Sequence, residues 1–181
     1  MTRLRHIIVL CEGSSDATFV KHFLKRRGFD KRQITVRQYP EGDGCGEQFV
    51  RTRYPKLLQE VRHRQNRGLI VMLDADVKTT ADRRRELNDA CIKAGVPVRK
   101  QGEPILLAIP KRNSETWYKY LHGATVSECE DKEFKKSNNH DFAKTSAERL
   151  DEWCFKKQKL PTQTLPSLRE ACEEWRYFAR D

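Results

Sequence analysis

Carboxylates stand where apolar runs end in this chain. His6 to Cys11 (HIIVLC) is followed by Glu12-Gly13-Ser14-Ser15-Asp16. Leu69 to Leu73 (LIVML) is followed by Asp74-Ala75-Asp76, and Ile105 to Ile109 (ILLAI) by a stretch that reaches Glu115. Asp74 and Asp76 are two residues apart, so extended backbone points both to one side. Carboxylates crowded together repel, and burial raises the cost; a divalent cation removes the conflict. Hard oxygen ligands suit Mg²⁺ or Mn²⁺ rather than zinc. An acid after a strand also serves as a helix cap or loop residue. Three such groups at strand ends in a basic chain favour a metal site. Asp16 stays open between metal ligand and a charge that complements a helix N-terminus.

Strands and helices must alternate to bring these acids together. The three apolar runs read as strands covered on both faces, and Ile34 to Tyr39 as a fourth. Between them, helical patterns run from Ser14 or Ser15 to about Arg27, from about Glu47 to Asn66, and from Thr80 to Ala94. Pro55 is expected to kink or split the second. Gly28 and Gly95 are expected to end the first and third. Asn113 or Ser114 caps a short helix through Leu121. This order predicts an α/β fold with a mostly parallel, Rossmann-like four-stranded sheet flanked by helices. Ligands then bind outside the carboxyl ends of the strands, where the acids lie. Residues 1–122 form the expected catalytic domain and 123–181 a helical C-terminal extension. That extension has a polar loop over Ser127 to His140 and helices over Phe142–Lys157 and Leu165–Ala179.

With 181 residues, 36 Lys+Arg against 26 Asp+Glu and a net charge of +10, the chain favours a polyanionic partner. Basic runs such as Lys25-Arg26-Arg27, Arg62 to Arg67 and Arg83-Arg84-Arg85 suit contact with a phosphate backbone, and no helix-turn-helix or zinc finger suggests sequence readout. No apolar run nears the roughly 20 residues that span a bilayer. Met1-Thr2-Arg3-Leu4-Arg5 leads straight into the first strand, so no signal peptide is expected and the location reads as cytoplasmic. The six cysteines (11, 45, 91, 129, 154, 172) then read as reduced thiols. Cys11 and Cys91 act as small hydrophobes, and a zinc site built from distant Cys and His stays open. Trp117, Trp153 and Trp175 lie in amphipathic patterns that favour core over base stacking. Gly42-Asp43-Gly44-Cys45-Gly46 reads as a flexible turn or as a phosphate cradle at a helix start.

Glu12-Gly13 after an apolar strand, then Asp16, then Asp74-x-Asp76 after another strand, resembles the Toprim domain over about residues 6 to 121. Ile109-Pro110-Lys111 with Glu115-x-Trp117 resembles its OLD-family (overcoming lysogenization defect) nuclease branch, which includes small proteins of bacterial defence loci. Val77-Lys78-Thr79-Thr80 departs from the topoisomerase and primase pattern, which places a Gly soon after Asp-x-Asp. The resemblance implies a nuclease that uses one or two Mg²⁺ or Mn²⁺ ions on DNA, or less readily on RNA. It makes Glu12 a metal ligand or general base and Asp74 and Asp76 metal ligands. Asp16 and Glu115 would complete a second metal site, and Lys111 would meet the phosphate or remain an ordinary exposed lysine. OLD-family Toprims are often fused to an ATPase. No Walker A motif occurs here, which suggests a separately encoded ATPase partner. The alternatives are a ribosomal-RNA maturation ribonuclease of the same fold, and a non-catalytic subunit that binds nucleic acid or an ATPase.

Overall fold

The computed structural model describes residues 4–40, 45–129, 140–156 and 160–178. It is an α/β fold with one four-stranded, all-parallel sheet. The strands are β1 (His6–Cys11), β2 (Ile34–Gln38), β3 (Arg67–Met72) and β4 (Ile105–Ala108). They connect through α1 (Ser14–Arg26), α2 (Gly46–Arg62) and α3 (Thr80–Lys93); α4 (Ser114–Leu121) follows the last strand. The C-terminal part supplies α5 (His140–Asp151), a π-helical segment Glu152–Lys156 and α6 (Pro166–Phe178).

Strand order is β2-β1-β3-β4. The chain leaves β1 toward β2, then crosses back over β1 to β3. The carboxyl ends of β1 and β3 therefore flank the switch point, the crevice where open α/β sheets bind ligands. Cys11 stands opposite Met72 there.

Side-chain alternation divides the strands between two cores. Ile7, Val9, Cys11, Ile70, Met72, Leu106 and Ala108 face a core closed by α1, α4, α5 and α6. Ile8, Leu10, Leu69, Val71, Ile105 and Leu107 face a second core closed by α2 and α3. Trp117 and Trp175 are fully buried in the first. Trp153 packs on its margin, edge-on to Tyr120. No helix among the described residues is long and apolar enough to cross a membrane.

Helix signals hold in most places. Gly28 (φ +85°) and Gly95 (φ +65°) follow α1 and α3 in the left-handed region that glycine tolerates. Thr79 and Asp82 form a reciprocal capping box on α3. Three expectations need correction. Gly13, not a serine, occupies the N-cap of α1, and no side chain caps it. Pro55 does not split α2, which runs unbroken past it; packing of the surrounding buried face outweighs the one hydrogen bond that proline removes. Not all cysteines are reduced: Cys154 and Cys172 form a buried disulfide with Cα atoms 5.5 Å apart. The two residues meet because α6 packs back on the π-helical segment that follows α5, which sequence spacing does not reveal. Gly42, Asp43, Gly44 and most of the expected Ser127–His140 loop lie outside the described residues.

Candidate functional site

Glu12 and Asp74 meet at the switch point. Glu12 leaves β1 immediately before Gly13, and its Oε1 accepts a hydrogen bond from the Asp74 backbone N–H at 2.9 Å. Asp74 is only 2% exposed. Gly46, the first residue of α2, lies against the Glu12 side chain. A Cβ built on Gly46 would stand 3.0 Å from Glu12 Cβ and 3.3 Å from its Oε2. The absence of a side chain there lets the start of α2 close on the carboxylate, whose charge the helix N-terminus favours.

Asp76 departs from the expected arrangement. It does not continue the extended backbone that would aim it beside Asp74, because it adopts φ +52°. Its N–H donates to the Arg112 carbonyl at 2.8 Å, and Arg112 itself sits at φ +72°. A short antiparallel bridge thus joins the chain ends beyond β3 and β4. The turn delivers the Asp76 carboxylate to Arg83 Nη2 at 2.8 Å. Arg83 is almost wholly buried and also reaches Glu47 Oε1 at 3.0 Å and Glu86 Oε2 at 2.9 Å. Read in sequence as part of a basic run suited to a phosphate backbone, Arg83 is instead the cation of a buried ionic cluster. Glu86 is held below the ordinary glutamate range: burial acts against this, but hydrogen bonds from Lys78 and Arg83 outweigh it.

Asp16 and Glu115 are the other two acids of this edge. Each lies in the first turn of its helix, α1 or α4, and each is buried. Both charges act on the buried Tyr118 hydroxyl. Burial first, then the Asp16 charge and more weakly that of Glu115, push the phenol well above its usual range. Asp16 and Glu12 both act on the Cys11 thiol, which burial chiefly drives upward. All four carboxylates Glu12, Asp16, Asp74 and Glu115 therefore lie along the carboxyl edge of the sheet.

Lys111 faces elsewhere. Its Nζ donates to the Lys78 carbonyl and lies 3.4 Å from the Val77 carbonyl, so it holds the loop after β3. Its backbone N–H donates to Ser167 Oγ at 3.0 Å. The Trp117 indole N–H donates to the same oxygen at 2.8 Å, and Ser167 in turn donates to Glu128. With both acceptor positions of Ser167 filled, its proton goes to Glu128, which also accepts the Ser167 N–H at 3.2 Å. This network docks the start of α6.

Glu12 and Asp74 are the residues at this crevice whose hard oxygens could hold a dication. Both carry carboxylate oxygen, one hydrogen bond holds the Glu12 carboxylate against the Asp74 backbone, and Mg²⁺ is commonly held by one or two carboxylates plus water and phosphate oxygens. Among the described residues no group of three or more His, Cys, Asp or Glu is disposed to hold a metal ion. Comparison with protein-family models, with curated proteins and with solved structures found no match.

Sequence reasoning missed Glu47, Arg83, Glu86 and Tyr118, and reached Gly46 only as part of a turn, without its contact to Glu12. The glycine-rich turn before α2 was the one available signal for Gly46. Nothing in Arg83-Arg84-Arg85 distinguishes the buried member from its neighbours.

Proposed function

We propose that the chain is a metal-dependent nuclease that hydrolyses phosphodiester bonds of DNA, or of RNA. The observation that carries this reading is the Glu12–Asp74 contact at the switch point. Two acids from different strands are brought together there, beside a helix start that lacks a side chain. Mg²⁺ or Mn²⁺, when bound, would neutralise charge on the phosphate and acidify its water. Asp74, buried and fixed in place, serves as ligand. Glu12 shares that role and can take a proton at Oε2, the oxygen beside Gly46. Asp16 and Glu115 extend the acidic edge toward a second ion. The defence setting and a separately encoded ATPase partner belong to the same reading and derive from the Toprim resemblance; the cytoplasmic location joins it from the N-terminal sequence.

The test is incubation of the purified protein with plasmid, linear DNA and structured RNA, in Mg²⁺, in Mn²⁺ and in chelator. Metal-dependent cleavage that Asp74→Ala abolishes is expected. Cleavage indifferent to chelator overturns the mechanism. Cleavage confined to structured RNA would assign the maturation-ribonuclease alternative.

One observation favours a second reading, a non-catalytic subunit. Asp76 is paired with Arg83, which leaves two rather than three acids at the crevice. Nucleic-acid binding that persists while no metal yields cleavage would select it.

A further inference from the structure

We propose that the groove between α1, edge strand β2 and the start of α5 binds a nucleotide unit, its phosphate on lysines and its apolar part on Ile34 and Val36. The groove encloses about 530 Å³, within the size range of small-ligand sites. Lys21 and Lys25 project from one face of α1, with His22 between them; Lys31 enters from the turn before β2 and Lys144 from α5. Like charges four residues apart destabilise a helix slightly, so Lys21 and Lys25 together carry a cost that an anion would relieve. Lys21, Lys25 and Lys31 pair with no described carboxylate.

Among the described residues, acids are sparse around them. Asp141 pairs with Lys144 at 2.7 Å, and Glu148 acts on His22. The His22 imidazole is held below its usual range, first by burial and then by Lys25, Lys144 and Lys21. This is the response expected of a partly buried ring beside several cations. Lysines near an edge strand can serve only to discourage strand pairing. Lys21, Lys25 and Lys144 stand on helices, however, where that role does not apply.

The floor is half-buried and apolar, formed by Ile34 and Val36 of β2. A phosphate alone needs no such surface, whereas the base or sugar of a nucleotide does. Thr18 Oγ1 and His140 Nδ1, 2.8 Å apart, fasten α5 to α1 and fix the groove width. Thr18 lies one turn after Ser14, so the groove starts near the acidic edge and runs down the flank of α1. A nucleotide in a strand passing that edge and a free nucleotide share this chemistry.

The proposal rests on the nuclease reading only for its phosphate-bearing partner and needs no metal. Binding is measured in chelator with a single-stranded oligodeoxynucleotide of about 12 residues and, separately, with adenosine triphosphate. Lys25→Glu/Lys31→Glu should weaken binding about ten-fold or more at low salt, while Lys56→Glu/Lys93→Glu, an equal charge change on exposed residues of α2 and α3, should stay within about two-fold. Loss with the oligonucleotide alone assigns a strand; loss with the triphosphate alone assigns a free nucleotide. Either probe should also move the His22 ring resonances. Should the first pair lower the melting temperature, Lys21→Gln/Lys144→Gln replaces it. Equal weakening by the groove and control pairs overturns the site, as does no weakening, or no binding by either probe. Cleavage that persists with unchanged binding in the groove variant sinks the groove alone. Groove-dependent binding without cleavage in any metal sinks the nuclease alone.

Discussion

Arg83 Nη2 lies 2.8 Å from Asp76 Oδ2, and this pair binds the loop after β3 to the start of α3. The same guanidinium meets Glu47 on α2 and Glu86 on α3. One buried cation therefore ties together the elements that frame the Glu12–Asp74 crevice. Its charge also neutralises an acid that would otherwise repel Asp74.

Arg83→Met should destabilise the fold by about 3 kcal/mol, because it leaves three carboxylates around a buried site without their shared cation. Lys78 still pairs with Glu86 and Arg51 with Glu47, which keeps the loss from growing larger. Asp76→Ala should cost at most about 1 kcal/mol, since Asp76 is half exposed and Arg83 keeps two partners. Urea unfolding of both variants checks the order. Equal losses would mean that Arg83 depends on Asp76 more than the geometry indicates.

Glu12→Gln retains an oxygen to accept the Asp74 N–H but loses charge and basicity. Cleavage should fall by a factor on the order of a hundred or more, with a melting temperature close to wild type. A variant that loses stability and cleavage in proportion would make Glu12 a structural acceptor.

The strands were legible because parallel strands covered on both faces must be apolar throughout, and HIIVLC, LIVML and ILLAI are. The convergence of Glu12 and Asp74 followed from those runs and from the binding rule for parallel sheets. The direction of Asp76 did not. It depends on a left-handed backbone residue, on the Arg112 carbonyl and on a buried Arg83, three tertiary facts that a D-A-D triplet does not encode. Lys111 likewise looked available to phosphate, yet its nearest acceptor is a carbonyl in a loop more than thirty residues earlier. Cys154 and Cys172 escaped for the same reason.

The Cys154–Cys172 bond should appear as four titratable thiols, rather than six, in protein denatured without reductant. With a sequence separation of 18 between its ends, it should stabilise the fold by about 3 kcal/mol. Cys154→Ala/Cys172→Ala should match the melting temperature of wild type in dithiothreitol. Six thiols in protein purified under air would sink the bond and support the fully reduced state expected of a cytoplasmic chain.

Glu103 accepts from Arg62 Nε at 2.7 Å and Nη2 at 2.9 Å, and from the Lys100 N–H at 2.8 Å. Burial would raise its pKa, but these hydrogen bonds and the Arg62 charge leave it lowered. A lowered folded pKa means that the unfolded chain binds the proton first. The stabilisation is therefore whole above the ordinary glutamate value of about 4.3 and is lost as pH falls through the folded value. Glu103→Gln should lower stability at pH 7 and flatten its decline below about pH 4.3. Parallel acid titrations of wild type and variant by circular dichroism check this, and identical slopes would remove Glu103 from the acid response.

Gly46→Ala separates the shape of the crevice from its charge. The added methyl would stand 3.0 Å from Glu12 Cβ and 3.3 Å from Oε2, too close for Glu12 to keep its place. Gly46 opens α2, and its backbone is not left-handed, so alanine is not resisted by the helix itself. The side chain that must yield is Glu12, and a shift of a few tenths of an ångström would lengthen its 2.9 Å contact with the Asp74 N–H. If that contact positions the catalytic carboxylate, cleavage should fall about ten-fold or more, as misplacement by fractions of an ångström does in active sites. Stability should change by less than about 1 kcal/mol, because the helix gains from alanine what the local contact loses. Combined with Glu12→Gln, Gly46→Ala should add little, since both act through one carboxylate. Full cleavage activity in Gly46→Ala, with a melting temperature unchanged, would show that the tight approach of α2 to Glu12 is packing and nothing more.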